Sequence, residues 1–307
     1  MHTIPQAVST LAGEIAAAHI RSTMTLHDRP TPARVWQAIL ALQSVARRTT
    51  IGAAGITGGE LLHLASDGCW SCPRELCAEG AALCDLYLPL VAAAAGRSYV
   101  VAHLGQSLDG CVATCTGASR WVTGELDMQH NHRLRALADA VLVGAGTAAA
   151  DDPQLTVRHC DGRNPVRVVL DPRRRLAPSL GVFRDGAAET LLLCGRDAPG
   201  DPQHGQAEVV RLPLTAHGRL RPMDVLDALA ARGLTFVFVE GGGVTVSRFL
   251  EAGVLDRLQV TVAPLFLGAG RRGVTLPAAR SMDDALRPQA RCFAFGRDVL
   301  FDCALHA

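Results

Sequence analysis

The stretch "TFVFVEGGGVTVSRFLEAG" ends a buried-looking apolar run on an acid, Glu240, then runs through Gly241, Gly242 and Gly243 into an amphipathic segment. Successive backbone N–H groups free of Cβ obstruction, beside a helix N-terminus, form an anion site, so these glycines are candidates to cradle a phosphate. A tight strand-to-helix turn without a ligand would use the same residues and stays open. A second pattern, Gly144, Gly146 and Ala149 in "VLVGAGTAAADDPQ", has the G-x-G-x-x-A spacing of a dinucleotide-binding turn, with Asp171 where a ribose-binding acid would stand. That match is weak. Asp151, Asp152 and Pro153 arrive within about two turns of Gly144, which makes the helix too short to pack along a sheet in the Rossmann manner.

Cysteine offers a third kind of chemistry. In "CWSCPRELC", Cys69, Cys72 and Cys77 stand near Cys84 and His63, and a C-x-x-C pair can hold zinc. A structural site wants two regular pairs, whereas the Cys77 and Cys84 spacing is irregular, so no metal is expected. Cys111, Cys115, Cys194, Cys292 and Cys303 lie in apolar or strand-like surroundings and read as reduced core fillers.

The elements that must position these residues divide the chain in two. Residues 1–96 are Ala-rich and mostly helical in pattern, with helices expected over "ARVWQAILALQSVARR" and "AEGAALCDLYL" and no catalytic motif. From residue 97 to 307, strand patterns ("SYVVAHLG", "DAVLVG", "PVRVVLD", "ETLLLCG", "AEVVRLP", "LTFVFVE", "LDRLQVTVAPLFLG") mostly alternate with helices. Thr123 is the expected N-cap of the helix "TGELDMQHNHRLRALA", and "CGRDAPGDPQHGQ" is an expected surface loop. Such alternation predicts a mainly parallel α/β sheet flanked by helices, while "ARCFAFG" and "RDVLFDCAL" predict a C-terminal antiparallel hairpin. Binding residues then belong beyond the carboxyl ends of the strands.

Composition narrows the function classes. With 30 basic and 29 acidic residues and no long runs of either, the chain carries no electrostatic footprint for nucleic acid or an anionic membrane. The first twenty residues lack a basic n-region, and the apolar stretch "LYLPLVAAAAG" is broken by Pro89 and far shorter than the roughly 20 residues of a membrane span. A cytoplasmic location is therefore expected.

Four motifs in order, "SLDGCVATCTGASRWVTG", "HRLRALADAVLVGAGTAAADDPQLTVR", "NPVRVVLD" and "VEGGG…LEAGVLD…VAPLFLG", resemble the reductase domain of bacterial riboflavin-biosynthesis enzymes, from about Ser98 to the C-terminus. The resemblance implies a dihydrofolate-reductase-like fold, a homodimer, and NADPH-dependent reduction of the ribosyl group of 5-amino-6-(5-phosphoribosylamino)uracil to ribityl. It further implies substrate contacts at Ser119, Arg135, Leu155, Arg158 and Glu240, with the two guanidinium groups suited to a phosphate. Cofactor contacts are implied at Trp121, Thr147, Asp151 and the run Gly241, Gly242, Gly243, Val244 and Thr245. Glu240 is the candidate catalytic acid, able to stabilise developing positive charge or relay a proton. A preference for NADPH would need a basic group at the 2′-phosphate, for which "DPRRRL" offers Arg173, Arg174 and Arg175 without distinguishing among them.

Two departures qualify the resemblance. Bifunctional relatives carry a zinc deaminase in front, and residues 1–96 have neither of its H-x-E and P-C-x-x-C groups, so no deamination is expected. Cys111 follows "SLDG" where relatives commonly carry a basic residue. Besides the riboflavin-pathway reductase, two alternatives stand: a paralogous NADPH-dependent reductase of a related pyrimidine or pterin compound, and a nonenzymatic nucleotide-binding protein on the same fold.

Overall fold

The computed structural model describes residues 29–306. Within them the chain forms two compact units, residues 29–42 with 51–92, and residues 43–50 with 93–306. Helix α1 (Pro32–Ala46) begins in the first and ends in the second.

The smaller unit holds the start of α1, all but the last two residues of helix α2 (Ala78–Ala94) and a three-stranded antiparallel sheet of β1 (Ile56–Gly58), β2 (Leu62–Leu64) and β3 (Trp70–Ser71). Trp36 and Tyr87 meet edge to face at 5.2 Å between the two helices. Helical periodicity located both helices, but α2 runs on through Pro89, and strands this short leave too little alternation to be read from an Ala-rich sequence. The cysteines of "CWSCPRELC" are free thiols, and among the described residues no group of three His, Cys, Asp or Glu is placed to hold a metal ion.

The larger unit is built on one ten-stranded sheet. Its central strands are β4 (Tyr99–Ser107), β6 (Ala140–Gly144), β7 (Val166–Leu170), β8 (Thr190–Gly195), β10 (Ala207–Leu212), β11 (Phe236–Glu240) and β12 (Arg257–Ala263). They pair in parallel in the order β12-β4-β11-β6-β7-β8-β10. The runs Ala140–Val143 and Phe236–Val239 are buried without alternation, as strands covered on both faces must be. Helices α3 (Glu125–Leu137), α4 (Ala145–Asp151), α5 (Pro222–Ala230) and α6 (Gly243–Glu251) complete the layers, with α3 and α6 packed on β11 and α4 on β6. The hairpin β14 (Gln289–Phe295) and β15 (Asp298–Ala304) adds antiparallel to β12, as its sequence predicts.

Other expectations need correction. The stretch read as a loop contributes a two-residue edge strand, β9 (Gln203–His204), paired with β10. A ribbon of β5 (Cys111–Ala113) with β13 (Arg271–Arg272) was not legible, because its partners are short and far apart in sequence. Thr123 does not cap α3. Gly124 is the cap residue, its N–H donating to Asp298 Oδ2 (2.7 Å), and the Thr123 hydroxyl is drawn instead to Asp127. Cys115 and Cys292 are exposed rather than core, whereas Cys111 and Cys194 are buried. None of the described helices is long and apolar enough to cross a membrane.

Candidate active site

Because β4, β6, β7, β11 and β12 run parallel, their carboxyl ends open on one side. There a cavity of about 870 Å³ is walled by the turns after β6, β7 and β11 and by the β5–β13 ribbon. That volume lies at the upper end of the roughly 300–1,000 Å³ usual for ligand pockets.

The two glycine turns that drew attention in the sequence meet here. Gly241 and Gly242 have φ of +71° and +59°, a left-handed backbone that a side chain would strain. Gly243 is required for a different reason, since a Cβ there would run into the carbonyl oxygens of Arg272 and Gly273. The turns interlock: Thr147 packs over Gly241 and Gly242, and Thr245 over Gly144, where a Cβ would stand 2.5 Å from its hydroxyl. Gly144 is thus a packing glycine, and α4 after it is a seven-residue helix closed by Asp152 in the left-handed region. The N-terminus of α6, with Val244 and Thr245 in its first turn, faces the cavity.

On the cavity floor, Glu240 at the end of β11 is fixed by Arg135 of α3. Arg135 Nε and Nη2 donate to Glu240 Oε2 and Oε1 (2.7 and 2.5 Å), and Nη1 donates to the Thr156 carbonyl (2.8 Å). This two-point pairing orients the carboxylate and commits the guanidinium, whose side chain is 8% exposed. Arg135 therefore positions Glu240, and it does not itself line the cavity.

Beside Glu240, in register across the parallel β11–β4 pair, lies His103. Its Nε2 is 3.0 Å from Asp127 Oδ1 and 3.1 Å from Thr261 Oγ1, and its Nδ1 is 3.1 Å from Asn131 Oδ1. Asp127 also accepts from the hydroxyls of Thr261 (Oδ1, 2.5 Å) and Thr123 (Oδ2, 2.7 Å). Burial is the largest influence on His103 and works against its charged form, but the Asp127 carboxylate, hydrogen bonds to Asp127 and Asn131 and the nearby Glu240 outweigh it, raising its pKa. Burial works against the Asp127 carboxylate as well, yet His103 and the two threonine hydroxyls hold it below the ordinary range. His130, edge-on to His103 at 5.0 Å, is driven down to about 3 by burial and then by the His103 charge.

Of the other residues singled out in the sequence, Ser119, Thr147, Asp151, Leu155 and Gly241–Thr245 line the cavity. Trp121 does not. It is 72% exposed at φ +66° on the neighbouring loop. Arg158 also stands outside the lining, its Nη1 donating to Thr156 Oγ1 (2.6 Å). The three arginines of "DPRRRL" separate: Arg174 donates to the carbonyls of Pro199 and Gln203 and holds the adjacent loop, whereas Arg173 and Arg175 face the cavity.

Arg219 and Arg248 line it too, with His217, and none of these four arginines forms an ion pair among the described residues. Sequence reasoning missed His103, Asp127, Asn131, Arg219 and Arg248. The available signal for His103 was one imidazole inside the apolar strand "SYVVAHLG"; for the arginines there was none, because sheet order brings their loops together.

The cavity suits a dinucleotide. A glycine turn at a helix N-terminus lines it, and guanidinium groups without an ion pair among the described residues supply positive charge for phosphates.

Residues 98–301 match the RibD C-terminal domain family. The chain is 33% identical over 213 residues to the 2,5-diamino-6-ribosylamino-4(3H)-pyrimidinone 5′-phosphate reductase of Methanothermobacter thermautotrophicus, covering 67% of this chain and 97% of that protein. It is 35% identical over 178 residues to the riboflavin biosynthesis protein RibD of Bacillus amyloliquefaciens, covering 56% of this chain but only 47% of that longer one. In structure it resembles the deaminase/5-amino-6-(5-phosphoribosylamino)uracil reductase of Thermotoga maritima (TM-score 0.57, 27% identity, 74% of this chain and 62% of that one). The chain belongs to the RibD C-terminal domain family, and it is an oxidoreductase of the riboflavin-biosynthesis type with a dihydrofolate-reductase-like fold.

Proposed function

We propose that residues 97–307 reduce the ribosyl group of a phosphorylated ribosylaminopyrimidine to ribityl with NADPH. The observation that carries this reading is Glu240, held by Arg135 at the carboxyl end of β11 and facing a cavity that is also lined by the glycine turn and by four arginines without an ion pair among the described residues. A bound dihydronicotinamide supplies hydride to C1′ of the opened glycosylamine. The chain's part is to place that carbon, neutralise phosphates and handle one proton. Gly241–Thr245 would hold the pyrophosphate at the α6 N-terminus, with Thr147 and Asp151 on the adjoining groups and Trp121 able to cover the ring from its exposed loop. Arg173 and Arg175, joined by Arg219 and Arg248, would read the 2′-phosphate. Ser119, Leu155 and Arg158 would contact the substrate, and Glu240, fixed by Arg135, would face its developing cation.

Two substrates are in view. 5-Amino-6-(5-phosphoribosylamino)uracil is the reductase substrate named for the Thermotoga protein, while the archaeal relative, which the chain nearly spans, is named for the 2,5-diamino-pyrimidinone. NADPH oxidation measured with each decides between them. Turnover of either at least tenfold above NADH-supported turnover supports the reading. NADPH binding without turnover of either points to a reductase of another pyrimidine or a pterin, and absence of NADPH binding points to a nonenzymatic protein.

Two further features fit the same reading. On one face of the hairpin and β12, Ala294, Val299 and Val262 align across the strands, as do Cys292, Phe301 and Val260. Val299 and Phe301 on this apolar face are 39% and 38% exposed, and a second copy packed there would complete a two-fold homodimer. The ten cysteines are all free, which suits the reducing cytoplasm.

A further inference from the structure

We propose that His103 is the proton donor of this reduction: backed by Asp127 at Nε2, it delivers its Nδ1 proton to the sugar ring oxygen as the bond from C1′ to that oxygen opens. The inference rests on the reductase reading given above and assigns the proton that Glu240 is poorly placed to give. Both Glu240 oxygens accept from Arg135, so this group is an anion suited to face positive charge. His103 is its direct neighbour across the β4–β11 pair, and both residues line the cavity.

The hydrogen-bond directions identify a donor. The Thr123 and Thr261 hydroxyls each give their single proton to Asp127, so this buried carboxylate accepts from two hydroxyls and from His103 Nε2. With its proton committed, Thr261 Oγ1 can only accept from Nε2. That leaves Nδ1 as the exchangeable site, resting against Asn131 Oδ1, and Asn131 also lines the cavity. A carboxylate on one imidazole nitrogen and the reacting group on the other is the arrangement by which aspartate orients and charges a histidine.

The groups facing His103 are Asp127, His130 and Asn131 from α3, Glu240 from β11, and Thr261 from β12. The two carboxylates favour its cation, and His130 stays neutral at physiological pH, so no second imidazolium opposes it.

The step balances. The Nδ1–H bond breaks and an O–H bond forms at the ring oxygen while the bond from C1′ to that oxygen breaks. The exocyclic nitrogen lone pair forms a C1′=N⁺ double bond next to Glu240. This carbon would accept a hydride from a bound reduced nicotinamide to give the secondary amine, and the neutral His103 would regain a proton from solvent.

Two measurements test this. In the ligand-free protein, ¹⁵N NMR of labelled imidazoles should show His103 titrating above the ordinary histidine range. With substrate and NADPH, His103→Gln should lose about 100-fold or more in kcat, keep its NADPH Kd within about twofold, and lose the wild-type decline of kcat with rising pH. His103→Asn serves as the second variant, with thermal unfolding reported for both. If neither folds, the wild type decides: coincidence of its kcat decline with the His103 titration supports the role, and separation of the two overturns it. A folded His103→Gln enzyme with near-normal kcat and pH profile overturns the His103 assignment and leaves the reductase reading intact. Absence of turnover by the wild type with both pyrimidines overturns the two together, and a His103 that titrates below the ordinary range overturns the donor alone.

Discussion

The floor and the rim of the cavity are both rich in charge, yet the charges are held in opposite ways. On the floor, Arg135, Glu240, His103 and Asp127 have side chains 8%, 17%, 2% and 3% exposed, and each is matched by a partner within hydrogen-bonding distance. At the rim, Arg173, Arg175 and Arg219 are exposed, and among the described residues no carboxylate forms an ion pair with them. Desolvated charges cannot be left single, so the fold itself must satisfy the floor. Exposed guanidinium groups need nothing from the fold, and an anionic ligand is what would gather them. Floor residues should accordingly couple function to stability, and rim residues should couple it to binding alone.

Breaking the floor should give the largest effect. Replacing Arg135 with Met keeps much of its volume but strands the Glu240 carboxylate and leaves the Thr156 carbonyl without its donor. The expected cost is about 3–5 kcal/mol, the usual penalty for removing one partner of a buried ion pair. Urea unfolding of Arg135→Met against the wild type measures it, and Arg135→Met with Glu240→Gln should recover part of the loss, since the buried charge is then gone. A loss below about 1 kcal/mol for Arg135→Met alone would place the pair with ordinary surface ion pairs and collapse the contrast.

The second floor pair makes the stability depend on pH in a stated direction. Asp127 is held below its ordinary value in the folded state, so its contribution is present above an unfolded pKa of about 3.9 and is lost as acid titrates the folded group. His103 is raised, so its contribution is full below an unfolded pKa of about 6.5 and is lost as pH rises through the folded value. Together the two favour the folded state most between about pH 4 and 6.5. Thermal unfolding should therefore show the wild type losing more Tm between pH 6 and 9 than Asp127→Asn, in which the reason for the raised His103 is removed. Equal losses would mean that the pair is not charged in the folded protein.

These contrasts also explain what the sequence could convey. Apolar runs and helical spacing were enough for the central strands, the hairpin and helices α1 and α2, because each is encoded within its own segment. Gly241–Gly243 were legible because a strand-to-helix turn after Glu240 calls for glycine, although what excludes a side chain at Gly243, the Arg272 and Gly273 carbonyls, lies about thirty residues on. Gly144 has a spacing that imitates a dinucleotide turn, a match the short following helix already argued against, while its actual constraint, the Thr245 hydroxyl about a hundred residues later, is a proximity set by strand order. His103 and Asp127 were hidden in the same way. One is a lone imidazole in an apolar strand, the other an acid in a helix first turn where the helix dipole alone would account for it. The Arg135–Glu240 pair was seen as two separate ligand contacts, because nothing in either segment reveals that they face each other.

The smallest effect on stability, and the sharpest test of the rim, comes from Arg173→Ala with Arg175→Ala. Both side chains are exposed and without ion pairs among the described residues, so unfolding free energy should stay within about 0.5 kcal/mol of wild type. Binding should respond more. If these guanidinium groups hold a 2′-phosphate, each lost charge-assisted contact weakens NADPH by about 1.5–3 kcal/mol, at least tenfold in Kd, while NADH, with a hydroxyl there, changes little. The wild-type NADPH Kd should also rise with salt more steeply than that of the double variant, because rim charges are screened over a Debye length of about 10 Å at 0.1 M. Parallel weakening of both nucleotides would move the arginines to the shared pyrophosphate, and an unchanged NADPH Kd would return them to the solvent. Arg174→Ala is the internal control: its guanidinium holds the Pro199–Gln203 loop through backbone carbonyls, so it should shift local loop protection in hydrogen exchange without selective loss of NADPH.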